Sequence, residues 1–200
     1  MEEMRPQIVI IMENTLGSMA LRSLLSDITP NVDVLCYSST NEYLKSPAKC
    51  VVHFFISTAV AFNNAEMFRP MMRRTIVITE GPATIFTLSG FRTLDITQSE
   101  QHIVRAMLRM RSEGHHTNTP EHSRATADDE HNMLLSAREQ DVLSLVVKGY
   151  INKEIADELN ITLATVVFHR NNIYDKLHTR SIGRLTIYAV LNNIVTLSDL

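Results

Sequence analysis

Val167, Arg170, Asn171 and Tyr174 follow the i, i+3, i+4, i+7 spacing that sets side chains on one face of a helix. Their types suit the edges of base pairs. An arginine can grip guanine with two parallel N–H groups and an asparagine can pair with adenine, while an apolar Val167 or its neighbour Phe168 can pack on a thymine methyl. Lys153, Thr165 and Lys176 add donors of the kind that hold phosphate oxygens. For any single member an ordinary solvated helix face competes, and Asp175 fits that plainer description, as Lys153 also could. The set as a whole points to double-stranded DNA.

Short helices must position this face. Ser136-x-x-Glu139 has the form of a capping box, in which the serine accepts from a backbone N–H and the glutamate reaches back to the serine's own N–H. The helix it opens carries Val142, Leu143, Val146 and Val147 on one side, and Gly149 can end it. Asn152 can cap a second helix offering Ile155, Ala156 and Leu159 inward, with the small Ala156 allowing close approach. Asn160-Ile161-Thr162 makes a tight turn in which Ile161 plugs the core and Thr162 caps the next helix. That helix, about 163–177, buries the stripe Val166, Ile173 and Leu177, with His169 beside it. A last helix, about 182–194, is apolar almost all round through Leu185, Ile187, Tyr188, Ala189, Val190, Leu191 and Ile194. Its surplus apolar surface predicts an interface.

These segments together resemble the LuxR-type (NarL/FixJ-like) helix-turn-helix of bacterial transcription regulators. The resemblance covers roughly 60 residues and rests on separate motifs: Leu135 to Leu143, Asn152-Lys153-Glu154-Ile155-Ala156, His169, Asn172-Ile173 and Lys176-Leu177. Where the family usually begins its reading helix Thr-Val-Lys, this chain has Thr165-Val166-Val167. The missing lysine weakens one expected contact and shifts readout towards Arg170 and Asn171. The resemblance implies a homodimer on DNA through the last helix, and so an inverted-repeat operator with half-site centres about one helical turn apart.

The formal net charge of −3 looks wrong for such a partner until it is divided. Residues 1–112 hold 11 basic and 10 acidic side chains, residues 113–133 one and five, and residues 134–200 seven of each. Within the last block, Arg170, Lys176, Arg180 and Arg184 face Asp175 alone over 165–185, a modest basic stripe that predicts weak binding by a monomer. Residues 113–133 are polar, aperiodic and contain Gly114 and Pro120, the marks of a linker. His115, His116, His122 and His131 fall there. Metal ligation by them lacks any frame to fix its geometry, and solvated linker histidines are the plainer assignment.

Over residues 1–112, strand-like runs at 8–12, 32–37, 51–57, 75–79 and 92–96 are short, rich in β-branched residues and mostly continuous, as strands buried on both faces are. Between them, Leu16, Met19, Leu21, Leu24, Leu25 and Ile28 outline one amphipathic helix. Residues 98–111 outline another, with Ile103, Val104, Met107, Leu108 and Met110 apolar. This predicts an α/β domain with a parallel five-stranded flavodoxin-like sheet, followed by a small all-α domain. With that output domain, the pattern resembles the receiver of a two-component response regulator. A working receiver needs an aspartate after strand three, an acidic pair after strand one, a hydroxyl after strand four and a lysine after strand five. Here stand Glu13-Asn14, then Ser57-Thr58 with no acid between Glu42 and Glu66, then Thr79, then Asp95, with no lysine between Lys49 and Lys148. The resemblance is therefore to a pseudo-receiver without a phospho-acceptor. Glu13 and Thr79 are either relics of that site or plain loop and strand-end residues. Arg69, Arg73 and Arg74 are solvated charge or, alternatively, a pocket for an anionic ligand. The helix carrying Arg105, Arg109 and Arg111 lies where receivers of this family often dimerise.

Other classes fit poorly. No phosphate-cradling glycine loop, metal-ligand spacing or nucleophile–base pair is visible, so neither an enzyme nor a cofactor is expected. No run of about 18 apolar residues suggests a membrane span. The acidic start Met1-Glu2-Glu3-Met4-Arg5-Pro6 is unlike a signal peptide, and Cys36 and Cys50 in apolar surroundings suit buried thiols in a reducing cytoplasm. The expectation is a cytoplasmic, sequence-specific DNA-binding transcription regulator whose receiver-like domain answers to a small ligand or protein partner. Two competitors remain. One is the same architecture gated by phosphorylation at an unusual residue, which acetyl phosphate with Mg²⁺ would reveal as added mass. The other is a protein-interaction module that sequesters a partner regulator without binding DNA.

Overall fold

The computed structural model describes residues 5–113 and 135–200, and the chain divides into two compact units, Met1–Thr119 and Pro120–Leu200. The linker assigned to 113–133, with its four histidines, lies outside the described residues apart from Glu113, which ends a helix.

In the first unit, β1 (Gln7–Ile11), β2 (Asp33–Tyr37), β3 (Val51–Ser57), β4 (Thr75–Thr79) and β5 (Arg92–Asp95) form one parallel sheet in the order β2-β1-β3-β4-β5. Every residue of the inner strand β4 is buried, whereas the edge strand β2 buries only Val34 fully. Sheets covered by helices on both faces demand continuous apolar strands, which is why these runs do not alternate. The sheet is the flavodoxin-like one expected from the sequence, with β3 and β4 at the expected bounds and the others within a residue.

Helices α1 (Thr15–Ile28) and α6 (Glu100–Glu113) cover one face, where Leu21, Leu25 and Met107 pack on Ile8, Ile10, Phe55, Ile76 and Leu94. On the other face stand α2 (Thr40–Lys45), α3 (Thr58–Asn63) and α4 (Ala65–Phe68), and Tyr37, Tyr43, Phe54 and Phe68 make successive edge-on ring contacts at 5.3 to 5.7 Å. A 3₁₀ turn (Arg69–Arg74) and α5 (Thr84–Leu88) complete the unit.

Two details differ from expectation. On α1 the buried stripe is Ser18, Leu21 and Leu25, while Leu16 and Met19 are 78 % and 63 % exposed; at 100° per residue both lie on the opposite side of the helix from Leu25. Helix α6 begins at Glu100 rather than at residue 98. Asp95 accepts from Thr97 N, Thr97 Oγ1 and Gln98 Nε2, which holds 97–98 in a turn.

The second unit is helical: α7 (Ala137–Val147), α8 (Asn152–Glu158), α9 (Leu163–Leu177) and α10 (Ile182–Leu191), with a 3₁₀ turn at Leu197–Asp199. Its core joins Val142, Leu143 and Val146 to Ile155, Val166, Ile173, Leu177, Leu185 and Leu191. None of the described helices is long and apolar enough to cross a membrane. Cys36 and Cys50 are free and half-buried, so neither is the fully buried thiol expected.

Candidate nucleic-acid interface

The capping box forms as its spacing requires. Ser136 Oγ accepts from Glu139 N at 3.3 Å and Glu139 Oε2 accepts from Ser136 N at 2.7 Å. Gly149, at φ +91°, closes α7, with its own N–H on Val146 O and Tyr150 N–H on Leu145 O. Helix α8 is capped differently from expectation: Ile151 holds the cap position, Glu154 accepts from Ile151 N at 2.9 Å, and Asn152 is the first helical residue. The amide of Asn152 is thereby freed for another partner. Asn160, at φ 53°, turns the chain while Ile161 N donates to Ala156 O, and Thr162 caps α9 by accepting from Thr165 N. Asparagine tolerates this left-handed backbone better than most side chains. Ile161 is half-buried rather than a core plug.

Helix α9 buries Val166, Ile173 and Leu177 and leaves Val167, Phe168 and Asn171 exposed on its other side. Arg170 is half-buried and held. Its Nε and Nη2 donate to Tyr174 Oη at 3.0 and 2.7 Å, and Nη1 donates to Asn152 Oδ1 at 2.5 Å. Tyr174 also has the guanidinium carbons of Arg170 and Arg180 each 5.8 Å from its ring centre, within cation–π range. Lys153 is exposed at the start of α8; Thr165 is half-buried, with its hydroxyl 2.8 Å from that of Thr162. Lys176 faces inward, its ammonium 2.8 Å from Glu139 Oε2. Burial pushes the Glu139 carboxyl up, but the Lys176 and Ser136 hydrogen bonds outweigh it and hold the group below its ordinary value. His169 is half-buried, its Nδ1 without a hydrogen-bond partner among the described residues.

Helix α10 uses more of its apolar surface internally than its composition suggests. Leu185, Tyr188, Ala189, Val190 and Leu191 are all buried and the helix ends at Leu191 rather than at 194, so the expected surplus narrows to exposed Ile182 and half-buried Ile187, with half-buried Ile194 beyond the helix end.

At the C-terminal ends of the strands in the first unit, Glu13 Oε2 accepts from Ser57 Oγ at 3.0 Å, and Ser57 caps α3 through Val60 N. Thr79 Oγ1 donates to Gly81 O. Asp95 Oδ1 accepts from Gly81 N at 3.0 Å in addition to its bonds with Thr97, and Oδ2 accepts from Gln98. These donors, Thr97 and Gln98 first, lower the Asp95 pKa to about 2. The carboxylate thus ties the β4–α5 loop to the end of β5.

Residues 133–189 match the family model described as bacterial regulatory proteins, luxR family. The C-terminal unit is a luxR-family domain. Over 62 residues the chain is 40 % identical to the response regulator protein VraR of Staphylococcus aureus (strain Mu3 / ATCC 700698), and equally so to VraR of Staphylococcus saprophyticus. That alignment covers 31 % of this chain and 30 % of each relative, so less than a third of either relative is spanned. By structure the chain is similar to the two-component response regulator RcsB in its DNA complex, with a TM-score of 0.63 at 17 % identity over 92 % of this chain and 98 % of that one. RcsB from Salmonella enterica serovar Typhimurium, bound to promoter P1flhDC with phosphomimetic BeF3-, gives 0.63 at 15 % identity over 94 % and 98 %. At these identities the likeness is one of fold: a receiver-like α/β unit followed by the luxR-family helices.

Within the luxR-family domain, three residues outside the expected base- and phosphate-contact set complete the geometry of the candidate interface, with Arg180 expected only as part of the basic stripe. Asn152, a cap candidate by its type and position, instead accepts from Arg170. Arg180 lies over Tyr174. Glu139 anchors Lys176 as well as capping α7. Asn152 sits 18 positions before Arg170, a separation at which no local periodicity operates.

Proposed function

We propose that the chain is a sequence-specific DNA-binding transcription regulator that acts as a homodimer in the cytoplasm, with a receiver-like domain that does not use an aspartyl phosphate. The observation that carries this reading is the α9 surface: Val167, Phe168 and Asn171 exposed beside a guanidinium fixed by Asn152 and Tyr174. Arg170 and Asn171 read base edges, Tyr174 orients Arg170, and Val167 and Phe168 pack on thymine methyls. Lys153 and Thr165 hold phosphates. The contribution of Lys176 is to fix the end of α9 against α7 through Glu139. The narrowed apolar patch on α10 supplies the twofold contact.

Two observations support the phosphate-independent input. The residue at the end of β3 is Ser57, which caps α3, and the last residue of β5 is the anchored Asp95, with no lysine after it before Lys148. The proposed domain bounds are 1–112, 113–133 and 134–200.

Selecting duplexes from a random pool with the full chain and no phosphodonor tests this. Recovery of an inverted repeat, lost when Arg170→Ala is combined with Asn171→Ala, supports the reading. Recovery of nothing even at low salt overturns phosphate-independent binding.

A second reading has its own observation. Leu163, Phe168 and Ile151 are each more than half exposed, an apolar set suited to a protein partner. A chain that sequesters another regulator in this way would show no salt-dependent duplex affinity.

A further inference from the structure

A cavity of about 280 Å³ opens in the first unit where β1 and β3 begin, at the end of the sheet opposite to Glu13, Ser57, Thr79 and Asp95. Its wall is largely carbon: Ile8 and Phe55 from the sheet, Leu25 and Ile28 from α1, Met107 and Met110 from α6. Protein interiors pack to crystal-like density, and a gap of this size forfeits the dispersion contacts of everything that lines it. An aliphatic cavity of about 150 Å³ already accepts benzene. This one has room for a substituted ring or a fused pair, and methionines adapt readily to an irregular guest.

Three lining residues are polar. The Thr29 hydroxyl donates to Leu25 O at 2.6 Å, and Asn31 is exposed at the rim. The third, His53, stands in the wall with its Nδ1 buried and without a hydrogen-bond partner among the described residues. Burial first, then the charge of Arg92, lowers the pKa of His53 against the opposing pull of a hydrogen bond to the Arg74 backbone. A neutral imidazole that donates one N–H to a backbone carbonyl keeps its other nitrogen as an acceptor. Shielded from water, that nitrogen gains more from a donor than it would in bulk. Because Nδ1 is itself buried, a guest reaches it only when the ring turns towards the cavity.

We infer that this cavity is a binding site for a small uncharged molecule, a one- or two-ring aromatic, bearing a single N–H or hydroxyl that donates to His53 Nδ1. The inference stands apart from DNA reading and needs none of the α9 geometry.

Titration of the full chain, ¹³C-labelled at methionine methyls, with indole and with indene tests it. The two probes share a shape and differ by one N–H. Saturable shifts of the Met107 and Met110 methyls are expected with indole, with indene at least about tenfold weaker, equivalent to 1.4 kcal/mol. His53→Phe should bring the two probes to equal affinity, and Ile28→Phe should block both. If His53→Phe fails to fold, the indole–indene comparison on the unaltered chain still decides the point. Absence of saturable shifts, or shifts spread over many methionines, overturns the site. Equal affinity for the two probes overturns the hydrogen bond, and comparable binding of indole-3-carboxylate overturns the uncharged class.

Discussion

Lys176 and Glu139 are 37 residues apart in sequence and 2.8 Å apart in space, and the same carboxylate oxygen accepts from Ser136 N. One buried atom therefore closes the first turn of α7 and pins the last turn of α9. Removing the carboxylate leaves a half-buried ammonium and an orphaned N–H, so Glu139→Ala should destabilise the luxR-family domain by about 2–3 kcal/mol. Glu139→Gln, which keeps an acceptor for Ser136, should cost less. Urea unfolding followed at the amides of Leu143 and Ile173 reads both; a wild-type midpoint in Glu139→Ala would show the pair to be inert.

The same pair sets an acid limit. Glu139 titrates below its ordinary value in the fold, so its stabilisation is complete above the unfolded value of about 4.3. It is lost as pH falls from there through the folded value. Urea midpoints at pH 7, 5, 4 and 3 should drop over the last two steps, and the drop should shrink in Glu139→Gln.

Asp95 offers a sharper titration. Its carboxyl carbon should move in NMR with a midpoint near 2, and Thr97→Val, which removes one of the largest contributors, should raise that midpoint. Its anchoring of Gly81 holds fully above about 3.9 and weakens as pH falls towards 2. A midpoint near 3.9 in the unaltered chain would mean that the β4–α5 loop is not tied by this residue.

For Arg170, the informative variant is Tyr174→Phe. It deletes the oxygen that accepts two guanidinium N–H groups while leaving the ring beneath them. Preference for the selected operator over a scrambled duplex should fall about 3- to 10-fold. Arg170→Ala should lose more, about 1–3 kcal/mol at one base pair. Unchanged discrimination in both variants would remove Arg170 from base reading.

Val167→Lys tests the departure at the start of α9. A lysine there should tighten binding to all duplexes and steepen the logarithmic salt dependence by about 0.9 for each further phosphate that its ammonium neutralises. A slope that stays flat while specificity changes would place position 167 against bases instead.

How legible is this in the sequence? The sheet is, because Ile76-Val77-Ile78 and Phe54-Phe55-Ile56 admit little but buried strands. The long helices α1, α6 and α9 are, because their stripes repeat over several turns. The helices α2 to α5 span four to six residues, too few for a period to show, and are fixed by caps such as Ser39 and Ser57 and by the sheet beneath. On the α9 surface, residue types and spacing define the exposed face but not the internal partners. Arg170 meets Asn152, and Lys176 meets Glu139, through packing of separate helices, which no linear pattern encodes. The exposure of Leu16 and Met19 is hidden in a different way, because a run of apolar residues is not yet an angle around an axis.

A free arginine side chain carries about 2 kcal/mol of rotamer entropy. Arg170 surrenders much of that freedom when the domain folds, since Asn152 and Tyr174 already restrain its guanidinium. Whatever surface it meets encounters a fork whose direction is set beforehand, so the rotamer search is finished before the encounter and adds little to the entropy of association.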